Sequence, residues 1–432
     1  MAKIPVPAPT MGDRDWFLHD RFGMFMHWGL YALPARGVWM KCFEKTPEEQ
    51  YDCYFEHFDP DLYDPREWAR ATRDAGIKYL VVTAKHHEGF CLWDSKHTNY
   101  KVTNTPCGKD VLRPMIEAFR EEGLKIGLYY SITDWHHPDY PIDMFHPLRD
   151  HPEVEELQKK RDLRKYVDYL HAQVRELMTD FGKIDILWMD FSYKARDYRD
   201  MMGETAKDWR SYELLDMVRE LQPHILIDNR LTIPEGMIDI HTPEQYVPHE
   251  WVKVDGKPIV WEACHTFSGL WGYARDEYTW KSPEQLIQLL VNSVSCGGNL
   301  IMNIGPTARG TFDDRALKAL KVYSDWTRLH SRSIYGCTQS EYEAPSDCRF
   351  TQNGKRLYVH IFNWPFRHLD LPGLDGKVEY AQLLHDGSEV TPPEREPDDY
   401  ATTRHVKSGT LTLELPVRKP DVVVPVIELF LK

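Results

Sequence analysis

Several features that would assign this 432-residue chain to a class are missing from it. No stretch approaches the roughly 18 apolar residues of a transmembrane helix, so no membrane partner is expected. The formal charge is −14 and no basic stripe reverses it locally, which argues against a nucleic-acid partner. The N-terminus has no apolar run behind a basic start. We therefore expect no signal peptide and a cytoplasmic location, although a secreted protein trimmed of its signal would read the same.

The signatures of metal, phosphate and serine chemistry are missing as well. The eight cysteines include no CxxC pair, which makes a zinc ribbon improbable and predicts reduced thiols. HxH and HExxH are absent, and the adjacent His86 and His87 should point in different directions. We find no GxGxxG, GxxxxGK or GxSxG. The sequence therefore predicts neither a catalytic metal nor a cofactor.

What the chain does have is a series of short apolar runs that alternate with helical patterns. Such near-continuous apolar runs are typical of a sheet buried on both faces. Repeated strand–helix units predict an α/β fold, a (β/α)8-like TIM barrel, with a doubly wound open sheet as the alternative. Helices are hard to find between the fifth and seventh runs, so the barrel is expected to be irregular there. The runs are Met24–Trp28, Tyr79–Thr83, Ile126–Tyr130, Ile184–Met189, Ile225–Ile227, Pro258–Trp261 and Leu300–Ile304.

The pattern changes near Tyr335. After this point the sequence alternates apolar and polar residues between turn signals, and Asn353-Gly354 is a typical hairpin turn. We therefore predict two domains, a catalytic barrel over residues 1–335 and a C-terminal β-sandwich over residues 336–432.

Polar and aromatic side chains follow nearly every predicted strand. In a barrel enzyme the active site lies at the carboxyl ends of the strands, whereas a barrel that only packs would not need polar groups there. The pattern therefore indicates an enzyme. The segments in question are His27-Trp28-Gly29, Lys85 to Phe90, Tyr129-Tyr130-Ser131, Trp188-Met189-Asp190, Asp228-Asn229-Arg230, Trp261-Glu262, and Asn303 with Gly305.

Carboxylates, aromatic rings and neutral histidines remain once the other chemistries are set aside. Sugar hydrolysis uses this set: two carboxyl groups work on the glycosidic bond, aromatic faces hold the ring, and polar groups hold its hydroxyls. The 14 tryptophans and 23 tyrosines are in keeping with sugar binding. From the residues alone, the chain is predicted to be a glycosidase.

A series of motifs, in order between about Asp15 and Pro306, resembles glycoside hydrolase family 29, the α-L-fucosidases. The C-terminal β-domain also fits the architecture of that family. The motifs are Arg21 to Gly29, Ala84 to Phe90 followed by Trp93-Asp94-Ser95, Gly127 to Ser131, Leu187 to Asp190, Trp271-Gly272-Tyr273, and Gly297 to Pro306.

The resemblance implies a retaining, exo-acting α-L-fucosidase that removes terminal fucosyl residues from oligosaccharides or glycoconjugates through a covalent fucosyl-enzyme. It assigns the nucleophile to Asp190, which closes the fourth strand. The general acid/base is assigned to Glu244, in the segment Asp239 to Glu244, with Glu262 as the rival and Glu235 as a third possibility.

The resemblance also implies a set of sugar-binding residues. At one of them the chain departs from the family pattern, because Val38 precedes Trp39 where the family often has Glu. The hydroxyl contact that this Glu would make is therefore in doubt. The implied set is His27, Trp39, His86, His87, Tyr130, Trp188 and Arg230.

Three other functions stay open from the sequence. The enzyme could act on a related sugar such as an α-L-galactoside, which differs from a fucoside by one hydroxyl. It could favour transfer of fucose to another sugar over hydrolysis. It could also be a catalytically weak carbohydrate-binding protein. A homo-oligomer is possible, with part of the aglycone site contributed by a neighbouring subunit.

Overall fold

The fold is described from a computed structural model that covers residues 4–190, 205–393 and 407–432. Within these residues no helix is both long and apolar enough to cross a membrane. The helices are α1 (Asp15–Asp20), α2 (Met40–Phe43), α3 (Glu48–His57), α4 (Pro65–Asp74), α5 (Leu112–Glu121), α6 (Val154–Lys159), α7 (Leu163–Asp180), α8 (Thr205–Asp208), α9 (Ser211–Leu221), α10 (Pro283–Ser295) and α11 (Asp314–His330), with 3₁₀ turns at Leu30–Ala32, Val102–Asn104, Pro147–Asp150 and Ser331–Ser333.

The strands form one parallel sheet and a short antiparallel hairpin in the N-terminal part of the chain, and antiparallel sheets after it. They are β1 (Phe22–Met26), β2 (Tyr79–Lys85), β3 (Lys125–Ser131), β4 (Ile186–Asp190), β5 (Leu226–Ile227), β6 (Lys253–Val254), β7 (Lys257–Pro258), β8 (Glu262–Thr266), β9 (Asn299–Ile304), β10 (Thr338–Gln339), β11 (Cys348–Asn353), β12 (Arg356–Ile361), β13 (His368–Pro372), β14 (Val378–Leu383), β15 (Thr410–Glu414) and β16 (Val426–Leu431).

The parallel sheet curls into a barrel. Its seven strands pair in the order β5-β4-β3-β2-β1-β9-β8. A separate cluster of buried side chains, among them Phe25, Tyr129 and Trp188, fills the space that the sheet encloses. Helices cover the outer face, where a larger core packs against the other side of each strand. The predicted (β/α)8-like barrel is confirmed, because each strand is buried on both faces as the apolar runs indicate.

An irregular stretch of chain, residues 239–245, closes the barrel between β5 and β8. We call it the closing segment. On one side Ile240 pairs with Asp228, and on the other side His241 pairs with Trp261 and Glu244 with Cys264, all in parallel. The segment therefore occupies the position of a barrel strand. It is the irregular part of the barrel that the sequence predicts from the lack of helical patterns in this region.

The prediction of a sixth barrel strand over Pro258–Trp261 is wrong, because the strand begins further along the chain. The barrel strand is β8, which begins at Glu262, while Pro258 lies in the hairpin of β6 and β7. β8 reads Glu-Ala-Cys-His-Thr, so its inward side chains include polar ones that hydropathy does not mark as a strand. Glu262 therefore stands at the amino end of a strand and not at its carboxyl end.

The helix ends follow the capping signals in the sequence. Ser282 caps α10 in a complete capping box with Gln285, and Asp64 caps α4. Two separate helices, α6 and α7, follow each other in the amphipathic stretch before β4. Asp162 accepts a hydrogen bond from the backbone N–H of Arg164 and starts α7 afresh.

Antiparallel strands make up the C-terminal part of the chain. β10, β11, β12, β16 and β14 form one sheet, and β13 pairs with β15. Leu357, Leu371, Leu413 and Leu429 belong to a buried cluster that both sheets share. This arrangement confirms the predicted β-sandwich. The last barrel helix ends at His330 and β10 begins at Thr338, on either side of the predicted boundary at residue 335.

A buried ion pair fastens the loop after β3 to the end of β2. The Nζ atom of Lys85 lies 2.9 Å from Oδ2 of Asp134, and both side chains are almost fully buried. Asp134 also accepts hydrogen bonds from the backbone N–H groups of His136 and His137. Lys85 directly precedes the His86-His87 pair, so this contact fixes the position from which the two imidazoles extend.

Lys85→Met should lower the free energy of unfolding by about 3–5 kcal/mol, because it leaves the Asp134 carboxylate buried without its cation. Urea denaturation of the full chain measures the change. Lys96→Met is the matched control, since Lys96 pairs with Asp180 on the surface and its side chain is 74% exposed. The control should change stability by at most about 1 kcal/mol. Equal losses in the two variants would contradict the assigned role of the buried pair.

Candidate active site

A pocket of about 380 Å³ opens at the carboxyl ends of the barrel strands. In (β/α)8 barrels the active site lies at this edge. Its walls combine aromatic rings with three histidines, an arginine and two carboxylates. The lining residues are Phe25, His27, Val38, Trp39, His86, His87, Tyr129, Trp188, Asp190, Arg230, Glu244, Cys264 and Trp271.

Asp190 ends β4 and lies at the floor of this pocket. Its Oδ1 atom accepts a hydrogen bond from Nη1 of Arg230 at 2.8 Å, and its Oδ2 atom accepts one from the hydroxyl of Tyr129 at 2.7 Å. Nε2 of His87 lies 3.9 Å from Oδ2. The side chain is 8% exposed. Two hydrogen bonds, one to each oxygen, therefore fix the orientation of this carboxylate in the pocket.

Burial raises the pKa of the Asp190 carboxyl above its usual value, and the charge of Arg230 together with the Tyr129 hydrogen bond opposes this rise. Nearby Glu244 adds to the rise, since a second negative charge disfavours ionisation. The ionised form of Asp190 thus depends on the arginine and the tyrosine that touch it.

Arg230 connects the two carboxylates of the pocket. While Nη1 contacts Asp190, Nη2 lies 3.4 Å from Oε2 of Glu244. Nε donates to Oγ1 of Thr242 at 3.0 Å, and the guanidinium carbon stands 4.3 Å from the centre of the Trp188 ring. The planar guanidinium is therefore fixed by a hydrogen bond at one edge and by the indole at its face.

Glu244 belongs to the closing segment and occupies a more open position than Asp190. Its Oε1 atom accepts a hydrogen bond from Nε1 of Trp271 at 3.0 Å, and its side chain is 46% exposed. The two carboxyl groups thus stand in unlike surroundings: Asp190 is enclosed, and Glu244 is partly exposed to solvent.

Hydrogen bonds behind the pocket fix the protons of two of its histidines. The Nδ2 amide of Asn303 lies 2.7 Å from Nδ1 of His27, so His27 accepts there and carries its proton on Nε2. The Ser131 hydroxyl donates to the carbonyl of Thr133 at 2.7 Å and lies 2.6 Å from Nδ1 of His87. His87 therefore donates from Nδ1 and offers a lone pair at Nε2. One ring is a donor to the pocket and the other an acceptor.

Two tryptophans from paired loops form the upper wall. The N–H of Val38 donates to the carbonyl of Trp271 at 3.2 Å, and the N–H of Gly37 donates to that of Tyr273 at 3.1 Å. Trp39 packs against His87 with ring centres 4.9 Å apart, and Trp271 packs against His27 at 5.2 Å. Flat apolar faces stand next to hydrogen-bonding groups, as the recognition of a sugar ring requires.

The structure brings eight of the residues predicted from the sequence to this pocket. Tyr130 is not among them: its side chain points to the helices, where its hydroxyl donates to Gln173 at 2.8 Å. Its neighbour Tyr129 lines the pocket instead, because successive side chains of a strand point to opposite faces. The eight are His27, Trp39, His86, His87, Trp188, Asp190, Arg230 and Glu244.

The two other candidate carboxylates lie away from the pocket lining. Glu262 is fully buried one layer deeper in the barrel, where it accepts hydrogen bonds from the Tyr79 hydroxyl at 2.8 Å and from Nε1 of Trp188 at 3.2 Å. Burial raises its pKa to about 7. Glu235 contacts His241 at 3.1 Å, and its side chain is about half exposed. Neither carboxyl group lines the pocket.

Five lining residues were not predicted to bind substrate. Tyr129 could have been found from strand parity, since it pairs in register with Trp188, which points inward. Phe25 lies in β1 two residues before His27, so the two side chains have the same parity. Trp271 lies in a loop, where no periodic signal exists, although its motif is conspicuous. The five are Phe25, Val38, Tyr129, Cys264 and Trp271.

One cluster among the described residues has ligand atoms close enough to hold a metal ion, and it lies outside the pocket lining. It consists of Glu48, Asp52 and His136. Nζ of Lys41 already contacts Glu48 at 2.9 Å, and Nδ1 of His136 contacts it at 2.6 Å. This carboxylate therefore has cationic and hydrogen-bonding partners of its own, and we assign no metal to the cluster.

Comparison with known proteins points to one family. A sequence model described as alpha-L-fucosidase matches residues 10–332, which include every residue that lines the pocket. The chain belongs to the α-L-fucosidase family. Human plasma alpha-L-fucosidase is 29% identical over 393 residues, which cover 81% of this chain and 76% of that protein.

Solved structures of α-L-fucosidases have the same fold as this family member. Alpha-L-fucosidase isoenzyme 1 from Paenibacillus thiaminolyticus has 46% identity and a TM-score of 0.89 over 97% of this chain and 98% of that one. An alpha-L-fucosidase GH29 from Bacteroides thetaiotaomicron has 27% identity and a TM-score of 0.82, with both chains fully covered. That structure is a trapped covalent intermediate, obtained with 2-fluoro-fucosyl fluoride in a glutamate-to-glutamine mutant.

Proposed function

We propose that this protein is a retaining, exo-acting α-L-fucosidase, with Asp190 as the nucleophile and Glu244 as the general acid/base. The observation that carries the proposal is the contact of one guanidinium, that of Arg230, with both carboxylates across a pocket lined by aromatic rings. The covalent intermediate trapped in the Bacteroides relative supports a two-step mechanism through a glycosyl-enzyme.

In the first step, an oxygen of Asp190 attacks the anomeric carbon of the fucosyl residue, and the bond from that carbon to the aglycone oxygen breaks. Glu244 gives its proton to the departing oxygen. Asp190 is enclosed beneath the sugar and Glu244 is half exposed at the mouth, which suits the two roles. In the second step Glu244 accepts a proton from water, and the water oxygen attacks the same carbon and releases Asp190.

The remaining pocket groups would hold the sugar. His27 offers a donor at Nε2 and His87 an acceptor. One hydroxyl of the sugar ring can therefore accept a hydrogen bond from His27 while an adjacent hydroxyl donates one to His87. Trp39 and Trp271 present flat faces to the apolar side of the ring. Phe25 and Val38 add apolar surface next to these rings, which suits a sugar whose C6 is a methyl group.

The substrate class that follows is a terminal fucosyl residue on an oligosaccharide or glycoconjugate. Relatives bound to an iminocyclitol inhibitor support a site for a sugar-sized ring. Catalysis is assigned to the barrel over residues 1–335, because every proposed site residue lies there. We propose a reducing compartment such as the cytoplasm, since no disulfide joins any of the eight cysteines, six of which are buried.

Asp190→Gly should lower kcat on an aryl α-L-fucoside by about 10³-fold or more, because the attacking oxygen is removed. Sodium azide should restore part of the rate by entering the vacated space and attacking the anomeric carbon, with a β-fucosyl azide as product. Asp190→Asn is the matched control, since the amide fills the same space and leaves azide no room. Normal turnover by Asp190→Gly without azide would overturn the assignment of the nucleophile.

Glu244→Ala should slow fucosides with poor leaving groups far more than those with activated aryl groups, because an activated aglycone departs without a proton. A series of aryl fucosides of graded leaving-group pKa measures this dependence through kcat/KM. Glu262→Gln is the control, since Glu262 supports the Trp188 indole from below. It should reduce all members of the series by a similar factor. A steep dependence in Glu262→Gln, with none in Glu244→Ala, would move the acid/base role to Glu262.

A further inference from the structure

Behind the pocket, two buried polar atoms face each other without a hydrogen-bond partner among the described residues. They are Nδ1 of His86 and Oε2 of Glu88. The two atoms are 3.4 Å apart, and the two side chains are 3% and 2% exposed. Buried polar atoms are nearly always hydrogen-bonded, so an unsatisfied pair that faces across such a distance indicates a shared proton.

His86 differs in this respect from the other two histidines of the pocket. The proton of His27 is fixed by Asn303, and that of His87 is fixed by Ser131. For His86, Glu88 is the group that faces Nδ1. The position of the proton on the His86 ring therefore depends on Glu88. That position decides whether Nε2 of His86 donates a hydrogen bond to a ligand or accepts one from it.

Two protonation states of this pair are considered, and they differ by one proton that the pair releases to solvent as the pH rises. If the Glu88 carboxyl is protonated, it donates from Oε2 to Nδ1, and Nε2 carries the other proton as a donor for the pocket. If the carboxyl is ionised, it accepts from an N–H at Nδ1, and neutral His86 then presents a lone pair at Nε2. Nε2 of His86 is therefore a donor to a ligand hydroxyl in the first state and an acceptor from it in the second.

The surroundings favour the first arrangement. Burial raises the pKa of the Glu88 carboxyl to about 8, and burial lowers the pKa of the His86 imidazole to about 3. Gly29 adds to the enclosure, because a Cβ at that position would stand 2.9 Å from the other Glu88 oxygen. The titratable and charged groups around the pair are Lys41, Lys85 and Asp134, the hydroxyls of Tyr31, Tyr51 and Tyr100, and the rings of His27, His87 and Tyr129.

We propose that Glu88 is a positioning residue that holds the His86 proton on Nε2, so that His86 donates a hydrogen bond to the bound sugar. The pocket then presents two donors, His27 and His86, and one acceptor, His87. The identity of the sugar rests on the proposed function, whereas the position of the proton does not.

The test is the nitrogen spectrum of the His86 imidazole in the unliganded full-length protein, labelled with 15N-histidine and assigned by comparison with His86→Gln. At pH 7 the Nε2–H tautomer is expected. Glu88→Gln should keep it, because the carboxamide can also donate to Nδ1. Glu88→Leu should abolish the preference. Glu44→Gln, a control at the exposed partner of Arg36, should change nothing.

Binding of L-fucose, followed by calorimetry, gives the functional readout without the acid/base step. Glu88→Leu should weaken binding about tenfold, the cost of one buried hydrogen bond, and Glu88→Gln should stay within about threefold of the parent. Above about pH 8 the ionised carboxylate should weaken binding by the parent protein, while Glu88→Gln should keep its affinity.

A parent spectrum with the proton on Nδ1 at pH 7 would overturn the proposal. So would a tautomer in the parent that does not respond to pH, which decides the matter even if Glu88→Leu fails to fold. If the tautomers behave as expected but the enzyme cleaves no fucoside, the proposed function fails and the role of Glu88 stands.

Discussion

The guanidinium of Arg230 is the group on which the arrangement of the site depends. It contacts Asp190 with one nitrogen and Glu244 with another, while Thr242 and the Trp188 ring fix its orientation. Without this cation two carboxylates would repel each other at the floor and mouth of the pocket. With it, one can be ionised and enclosed while the other exchanges a proton near solvent. The division of labour in a retaining glycosidase requires this difference.

The irregular closure of the barrel makes that arrangement possible. Thr242 and Glu244 are two residues apart, so an extended backbone points both side chains to the same face. The closing segment touches its neighbours on either side through single bridges, and it brings both of these residues into contact with Arg230. Beneath it, Glu262 holds the Trp188 indole against which the guanidinium lies. The closing segment, the least regular part of the barrel wall, thus carries the proposed acid/base.

Much of this could be predicted from the sequence, because the strand signals and the polar strand ends are local. Asp190 and the three histidines are found directly as residues placed after apolar runs, whereas the proposed role of Asp190 as nucleophile comes from the family resemblance. The prediction that Tyr130 binds the sugar is wrong, because its side chain lies on the outer face of β3 and that of Tyr129 lies on the inner face. The placement of Glu262 at a strand end failed because β8 carries polar side chains into a buried interior, where hydropathy misleads. Neither the contact between Trp271 and Glu244 nor the one between Glu88 and His86 could be predicted, because tertiary packing alone brings those atoms together.

The proposed covalent bond between Asp190 and fucose can be trapped. The enzyme is incubated with 2-fluoro-fucosyl fluoride, digested, and mapped by mass spectrometry. We expect a fluorofucosyl group on the peptide that contains Asp190, bound through its carboxylate, and no such adduct in Asp190→Asn. A label on Glu244 or Glu262, or an unlabelled enzyme that still cleaves aryl fucosides with retention, would contradict it.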